Sequence, residues 1–388
     1  MIVIGADTHK RSHTVAAVDA ATGRLLDEQT IAARRRCFDA LLIWARGRGG
    51  ERVWAIEDCR HVSGALERFL LARGEAVVRV APKLTANARS SARELGKSDV
   101  IDAVAIARAA LREGLDSLPV ARLAGPELEV RLLVDHRERL IGQRTALIND
   151  LRWQLHDLWP EAEIPPRALV RAHWQDRVAG RLARAEQSAR VRIARDELRR
   201  IRELTRAIND LERELATLTS ALAPQLLAER GCGALTAAKL IGEIAGADRF
   251  ATDAKLARTA GSAPIPASSG QRHRHRLDRG GNRQLNSALH RLAITKGRLD
   301  PETIAYLTRK QAEGKTRREA IRCLKRHLAR RVWHLLQPDP TTHHPHQHPD
   351  TPHPQRHHPL QHADRQPRLD IEATSVVRSA SGARHSSA

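Results

Sequence analysis

The chain has 388 residues, enough for more than one domain, since single domains usually run to roughly 100 to 200 residues. Lys and Arg number 66 against 45 Asp and Glu, a net charge of +21 that would repel itself unless a polyanion neutralised it, so nucleic acid is the expected partner. Aromatic residues are only 3% of the chain, too few for broad base-stacking platforms; no apolar run spans a bilayer and MIVIGADTHK does not open like a secretory signal, so phosphate contacts, no membrane and a cytoplasmic location are expected.

Ile2 to Gly5 is a short apolar run leading to Asp7, and His13 to Asp19 and Leu25 to Ile31 flank the turn Ala-Thr-Gly at 21–23, which reads as three strands. A helical apolar pattern covers Cys37 to Arg46, followed by a strand over Arg52 to Ile56, a helix over Val62 to Ala72, a strand over Ala76 to Val80 and mostly helix over 84–112. The order βββαβαβα predicts an α/β domain over 1–118, with a central sheet that carries parallel strands and has helices on its faces.

Strand signals vanish between Pro126 and Ala223, where two long helical segments flank the Pro-containing stretch 160–166. In the second, Ile201, Leu204, Ile208, Leu211, Leu215, Leu218 and Leu222 step by three and four, the apolar seam of a coiled coil; the first carries Leu133, Leu140 and Leu147 at sevenfold spacing. A solitary helix cannot hide such a seam, so region 119–225 buries it in an intramolecular hairpin or against another protomer. A mostly helical third unit is expected over 226–336, and the His- and Pro-rich tail 337–388 has too little apolar content for a core and is expected to be disordered and solvated. Cys37, Cys59, Cys232 and Cys323 are scattered without the spacing of a disulfide framework or a zinc site.

Asp7 ends the first strand and Glu57 ends the strand VWAIED, so if these strands are neighbours the two carboxylates emerge at one edge of the sheet. Asp99 and Asp102, in GKSDVIDA, lie three apart near a helix start and share a face. Four converging acids repel one another until hard cations such as Mg²⁺ intervene, and a pair of such ions serves phosphodiester chemistry. Singly, each acid has an ordinary alternative as a strand end, cap or helix-dipole charge, and Asp58 could stand in for Glu57. The Gly5-x-Asp7 hairpin also resembles the first phosphate loop of sugar kinases, but the bulky Thr8, His9 and Lys10 follow where small residues should admit phosphates, and no convincing second Asp-x-Gly loop appears before the helical insert.

In ERGCGALTAAKLIGEIAG, Gly231 and Gly233 sit in a short turn between helices, which looks like a helix-hairpin-helix whose backbone N–H groups approach a DNA phosphate; an ordinary tight turn is the alternative. Next, AGSAPIPASSGQRHRHRLDRGGNRQL places Pro264 and Pro266 before an exposed turn of Ser268, Ser269 and Gly270, with Arg272, Arg274, Arg276, Arg279 and Arg283 following. A hydroxyl needs deprotonation and charge stabilisation to attack a phosphodiester, which nearby metals or guanidiniums can supply; taken alone, Ser-Ser-Gly is only a loop in most proteins.

The motifs IGADTHKRSHTVAAVD, AIED and GKSDVIDA at one end, and GCGALTAAKLIGEI, LARTAGSAPIPASSG and RGGNRQL at the other, make residues 1–336 resemble transposases of the IS110 type, related to the Piv invertases. The resemblance implies an RNase H-like (RuvC-like) N-terminal domain, a helical coiled-coil insert and a mostly helical C-terminal DNA-transfer domain. It implies that Asp7, Glu57, Asp99 and Asp102 are the family's Mg²⁺-binding acidic tetrad and that Ser269, or its neighbour Ser268, is the nucleophile that becomes covalently joined to DNA. It also implies a homo-oligomer, dimer or tetramer, in which one protomer's acids meet another's serine, and relatives that choose target and donor DNA with a structured guide RNA. Trp54 and Cys59 depart from the small, glycine-rich surroundings expected of Glu57, and the His-rich tail after Pro338 matches no role in the family. The rival readings are a RuvC-like nuclease using metal-activated water and a basic DNA-coating protein without chemistry.

Overall fold

A computed structural model describes residues 1–58, 60–90, 98–267, 275–276, 278 and 280–337. Cys59, Ser268, Ser269, Gly270, Arg272, Arg274, Arg279 and the tail from 338 onward lie outside the described residues. The chain runs β1 (Ile2–Thr8), β2 (Ser12–Asp19), β3 (Leu25–Ala32), α1 (Arg35–Arg46), β4 (Arg52–Glu57), α2 (Arg60–Leu71), β5 (Val77–Val80), α3 (Pro82–Ser90) and α4 (Asp99–Glu113). It continues with α5 (Pro126–Leu158), α6 (Ala172–Arg184), α7 (Ala189–Leu222), α8 (Pro224–Ala228), α9 (Ala234–Ile244) and α10 (Asp253–Thr259). The two-residue strands β6 (Ile265–Pro266) and β7 (His275–Arg276) precede α11 (Arg283–Leu299), α12 (Pro301–Ala312) and α13 (Arg317–Leu335).

The first five strands form one sheet in the order β3-β2-β1-β4-β5. β1 is antiparallel to β2 and parallel to β4, β3 is antiparallel to β2, and β5 is parallel to β4. An antiparallel meander extended on one side by two parallel strands is the RNase H-like arrangement. β1 lies at its centre with every residue buried, which is why IVIGA reads as a continuous apolar run, whereas edge strand β3 alternates between exposed and half-buried positions.

Alternation along β1 assigns its side chains to two cores. Ile4 and Ala6 join Trp54, Ile56, Phe38, Leu41, Leu66 and Leu70 under α1 and α2, while Val3 joins Ala55, Val78, Ala103, Ile106, Ala107 and Ala110 under α4. Gly5 faces α4 so closely that a Cβ there would stand 2.0 Å from the Ala103 carbonyl oxygen and 2.7 Å from the Ala107 nitrogen. Glycine at 5 and alanines along DVIDAVAIARAA therefore let this helix lie directly on the central strand.

The helices α5 and α7 pair antiparallel: Leu151 and Leu155 meet Val191, Leu198 and Ile201 at one end, and Val130 and Val134 share a core with Leu215 at the other. Ile201, Ile208 and Leu215 face inward, whereas Leu204 and Leu211, on the flank of the same seam, are only partly buried, because one partner helix covers only one row of a two-row stripe; Leu218, further along that flank, packs against the C-terminal core. The far end of this hairpin, with α6, has its own small core, and its base merges into the larger core of α8 to α13. That C-terminal unit also grips the sheet. The segment after α4 bridges β5 at Val120, and buried Arg249 donates to the Val120 carbonyl (2.6 Å) and the Ile244 carbonyl (2.8 Å), while Arg122 pairs with Asp248 through two bonds of 3.0 Å. No helix among the described residues is long and apolar enough to cross a membrane, and Cys37, Cys232 and Cys323 are free thiols.

Candidate metal centre

The parallel pairing of β1 with β4 runs in register through Ala6 and Ile56, so the next residues, Asp7 and Glu57, leave the sheet side by side on the α4 face. Asp58 turns to the opposite face. There Arg79 of β5 reaches it at 3.1 Å while holding buried Glu67 with bonds of 3.0 and 2.6 Å, so Asp58 belongs to a structural ion-pair group away from Asp7. Trp54 also lies on that far face, with its indole N–H donating to Glu75 (3.0 Å), so its bulk does not crowd Glu57.

Ser98 caps α4 by accepting from the Ile101 N–H (3.2 Å), which sets Asp99 and Asp102 in the first helical turn, where the helix dipole favours negative charge. Because α4 lies against Gly5, that first turn overhangs Asp7. The carboxylates of Asp7 and Asp99 and the imidazole of His9 each offer a ligand atom, and the three atoms lie within 4.8 Å of one another. His9 Nδ1 is 3.6 Å from Asp7 Oδ2 and 4.0 Å from Asp99 Oδ2. Arg89 Nε stands 2.9 Å from Asp102 Oδ1, near enough to attract it but not aligned as a hydrogen bond.

The electrostatics bind the four acids into one group. Burial pushes the Asp7 carboxyl up to about 6, His9 opposes the shift, and the charges of Asp102, Asp99 and Glu57 each add to it. Asp7 is 9% exposed and its Oδ2 has no hydrogen-bond partner among the described residues. A buried carboxylate oxygen without a donor, pressed by three like charges, suits a divalent cation.

The remaining sequence candidates lie in the C-terminal unit. Gly231 has φ +85° between α8 and α9, where a Cβ would also press on Lys296 at 3.1 Å, and Gly233 is the N-cap of α9. Arg276 is exposed on β7, Arg283 is exposed at the start of α11, and β6 pairs antiparallel with β7. Below this ribbon is a framework that motif reading did not find. Gly261 and Gly281 bring two backbones together, a Cβ on Gly281 standing 2.2 Å from the Gly261 nitrogen. Asn282 caps α11 by accepting from Gln284 and Leu285 and donates to Glu243 (2.7 Å); Asn286 donates to the Ala260 carbonyl (2.6 Å) and accepts from Lys325 (2.5 Å), whose ammonium burial pushes down to about 8. The repeated asparagines of RGGNRQLN were the available signal, since short amides often tie loop stems to backbone. His9 and Arg89 were also missed.

Comparison with known proteins adds independent findings. The DEDD transposase model of IS110 elements matches residues 4–160, and the model of the transposase IS116/IS110/IS902 family matches residues 223–308. An uncharacterised 44.8 kDa protein of insertion element IS116 from Streptomyces clavuligerus is 29% identical over 87% of this chain and 94% of its own length. An uncharacterised 42 kDa protein of IS900 from Mycobacterium paratuberculosis is 24% identical over 88% and 96%. Among solved structures, T. thermophilus RuvC in complex with Holliday junction substrate is 16% identical, covering 31% of this chain and 99% of that one, with a TM-score of 0.25, too slight a likeness to bear on the fold. Two family models of one group, matched in order along the chain, and relatives spanning nearly their whole length place this protein in the IS110 family of transposases.

Proposed function

We propose that the chain cuts and rejoins DNA strands, with Asp7, Glu57, Asp99 and Asp102 holding Mg²⁺ and Ser269, or adjacent Ser268, attacking the phosphodiester. The observation that carries this reading is the convergence of the acids on buried Asp7, which feels the charges of all three others. Bound there, Mg²⁺ would supply charge neutralisation and orientation at the scissile phosphate. The chain's own part is preorganisation: β1 and β4 fix Asp7 and Glu57 by register, and the Ser98 cap and Gly5 fix Asp99 and Asp102 above them.

The serine assignment rests on the family resemblance. As the Oγ–P bond forms and the P–O bond to the leaving sugar oxygen breaks, the serine must lose its proton and negative charge builds on the phosphate; the guanidiniums of Arg272, Arg274, Arg276, Arg279 and Arg283 suit that charge. DNA of the element's ends and of the target is the substrate class that net charge and family support, with Gly231 and Gly233 offering backbone N–H groups to a phosphate. A basic, aromatic-poor protein also suits delegation of sequence reading to a structured guide RNA, and the half-exposed row of the α5–α7 hairpin suits assembly of protomers.

The test is a denaturing gel of DNA carrying the element's ends, incubated with Mg²⁺ and the full-length protein. Wild type should give a covalent protein–DNA species that Ser268→Ala with Ser269→Ala abolishes. Cutting that survives the double substitution without any covalent species would replace the serine with metal-activated water. Absence of Mg²⁺-dependent cutting in wild type, with DNA binding unchanged in Asp99→Asn with Asp102→Asn, would leave a binding protein.

A further inference from the structure

His9 is the one member of the cluster that the acidic motifs do not include. It stands in the tight connection from β1 to β2, where its backbone N–H donates to the Ser12 carbonyl (2.9 Å), so its backbone is fixed by the hairpin itself. From there Nδ1 faces two carboxylate oxygens, at 3.6 and 4.0 Å. Around an ion with bonds of roughly 2.1 Å, neighbouring ligand atoms are ~3.0 Å apart and opposite ones ~4.2 Å apart, so both separations fall within the span of a single coordination shell. The second, independent sign is Asp7 Oδ2: it is buried, has no hydrogen-bond partner among the described residues and points to the same place.

We propose that His9 is a nitrogen ligand of the cation held by Asp7 and Asp99, tilting the site from Mg²⁺ toward Mn²⁺. Mg²⁺ is a hard ion that keeps to oxygen, whereas affinity for mixed nitrogen and oxygen sites rises along the transition metals, of which Mn²⁺ is the mildest. Imidazole in the first shell therefore adds to Mn²⁺ binding and little to Mg²⁺ binding. This rests on reading the acids as a metal site.

The test uses the full-length protein and sub-stoichiometric Mn²⁺ alone, followed by pulsed electron paramagnetic resonance. The chain has 20 histidines, so the informative quantity is the difference between wild type and His9→Ala. Wild type should show modulation from a directly bonded ¹⁴N that is lost in His9→Ala and in His9→Gln. Mn²⁺ affinity should fall about tenfold in His9→Ala, the lower end of what a lost metal-site partner costs, while Mg²⁺ affinity changes by less than about twofold. Equal ¹⁴N modulation and equal Mn²⁺ affinity in wild type and both variants, with Asp7→Asn still weakening Mn²⁺, would overturn the role of His9 alone. Mn²⁺ binding untouched by Asp7→Asn would overturn the metal-site reading beneath it. Matching circular-dichroism melts of wild type and His9→Gln guard against misfolding, which is not expected of a side chain 52% exposed.

Discussion

Gly5→Ala adds a single methyl group at the point where the central strand meets α4. The new Cβ would lie 2.0 Å from the Ala103 carbonyl oxygen and 3.0 Å from the Ala107 Cβ, and a real Cβ does not approach closer than 3.0 Å, so the helix must retreat by at least about 1 Å. Overpacking typically costs ~1–3 kcal/mol when side chains can yield; here the opposing atom is helix backbone, which places the loss near ~3 kcal/mol. The retreat also carries Asp99 and Asp102 away from Asp7, so Mn²⁺ affinity should drop at least about tenfold, in keeping with the steep cost of ångström-scale misplacement. Gly142→Ala is the matched control: it sits mid-helix in α5 with nothing within 4 Å of its Cβ position, and the same substitution there should stabilise by ~0.5–1 kcal/mol. Urea unfolding followed by circular dichroism, with calorimetric Mn²⁺ titration, reads both effects. A Gly5→Ala protein as stable as wild type and binding Mn²⁺ equally well would refute the close packing of α4 on β1 as the device that assembles the site.

Glu57→Gln should abolish Mg²⁺-dependent cutting and weaken cation binding, whereas Asp58→Asn should leave cation affinity unchanged and cost ~1 kcal/mol of stability through its bond to Arg79; calorimetry that finds the reverse contradicts the face assignment. Glu67→Ala leaves buried Arg79 without its principal partner and should cost ~3–5 kcal/mol, measured by urea unfolding, while Glu67→Ala with Arg79→Met should recover much of it. Burial, with the neighbouring acids, holds Asp7 at about 6 against an ordinary 3.8, so between those values the folded chain binds more protons than the unfolded one. Cation-free stability should therefore fall as pH rises across that window, and Mg²⁺ should stabilise only as pH rises through about 6, when the carboxylate is free of its proton. Urea titrations at several pH values should show this slope in wild type and its loss in Asp7→Asn; equal slopes contradict it.

Much of the N-terminal fold was legible because burial on both faces of β1 writes itself as an uninterrupted apolar run, and because amphipathic helices between strands leave a 3.6-residue period. The positions of Asp7 and Glu57 followed from where those runs end. The choice between Glu57 and Asp58 did not, since it depends on which side of the pleat faces α4, and that is fixed by the register of two strands about fifty residues apart. Gly5 and the alanines of α4 make their contact across nearly a hundred residues, so neither stretch announces the other. His9 entered the sequence reading only as a bulky residue after Asp7, because its meaning lies in two carboxylates, one of them at 99. In the helical region the seam of Ile201 to Leu222 was visible in full, but only the partner helix decides which of its two rows is covered.

The most direct test of the central claim is anomalous diffraction from crystals of the full-length protein soaked in Mn²⁺. A peak bonded at roughly 2.2 Å to carboxylate oxygens of Asp7 and Asp99, with Glu57 and Asp102 in its immediate surround, is the expected result. Manganese bound elsewhere, with the four carboxylates still clustered and none of them touching it, would contradict the account.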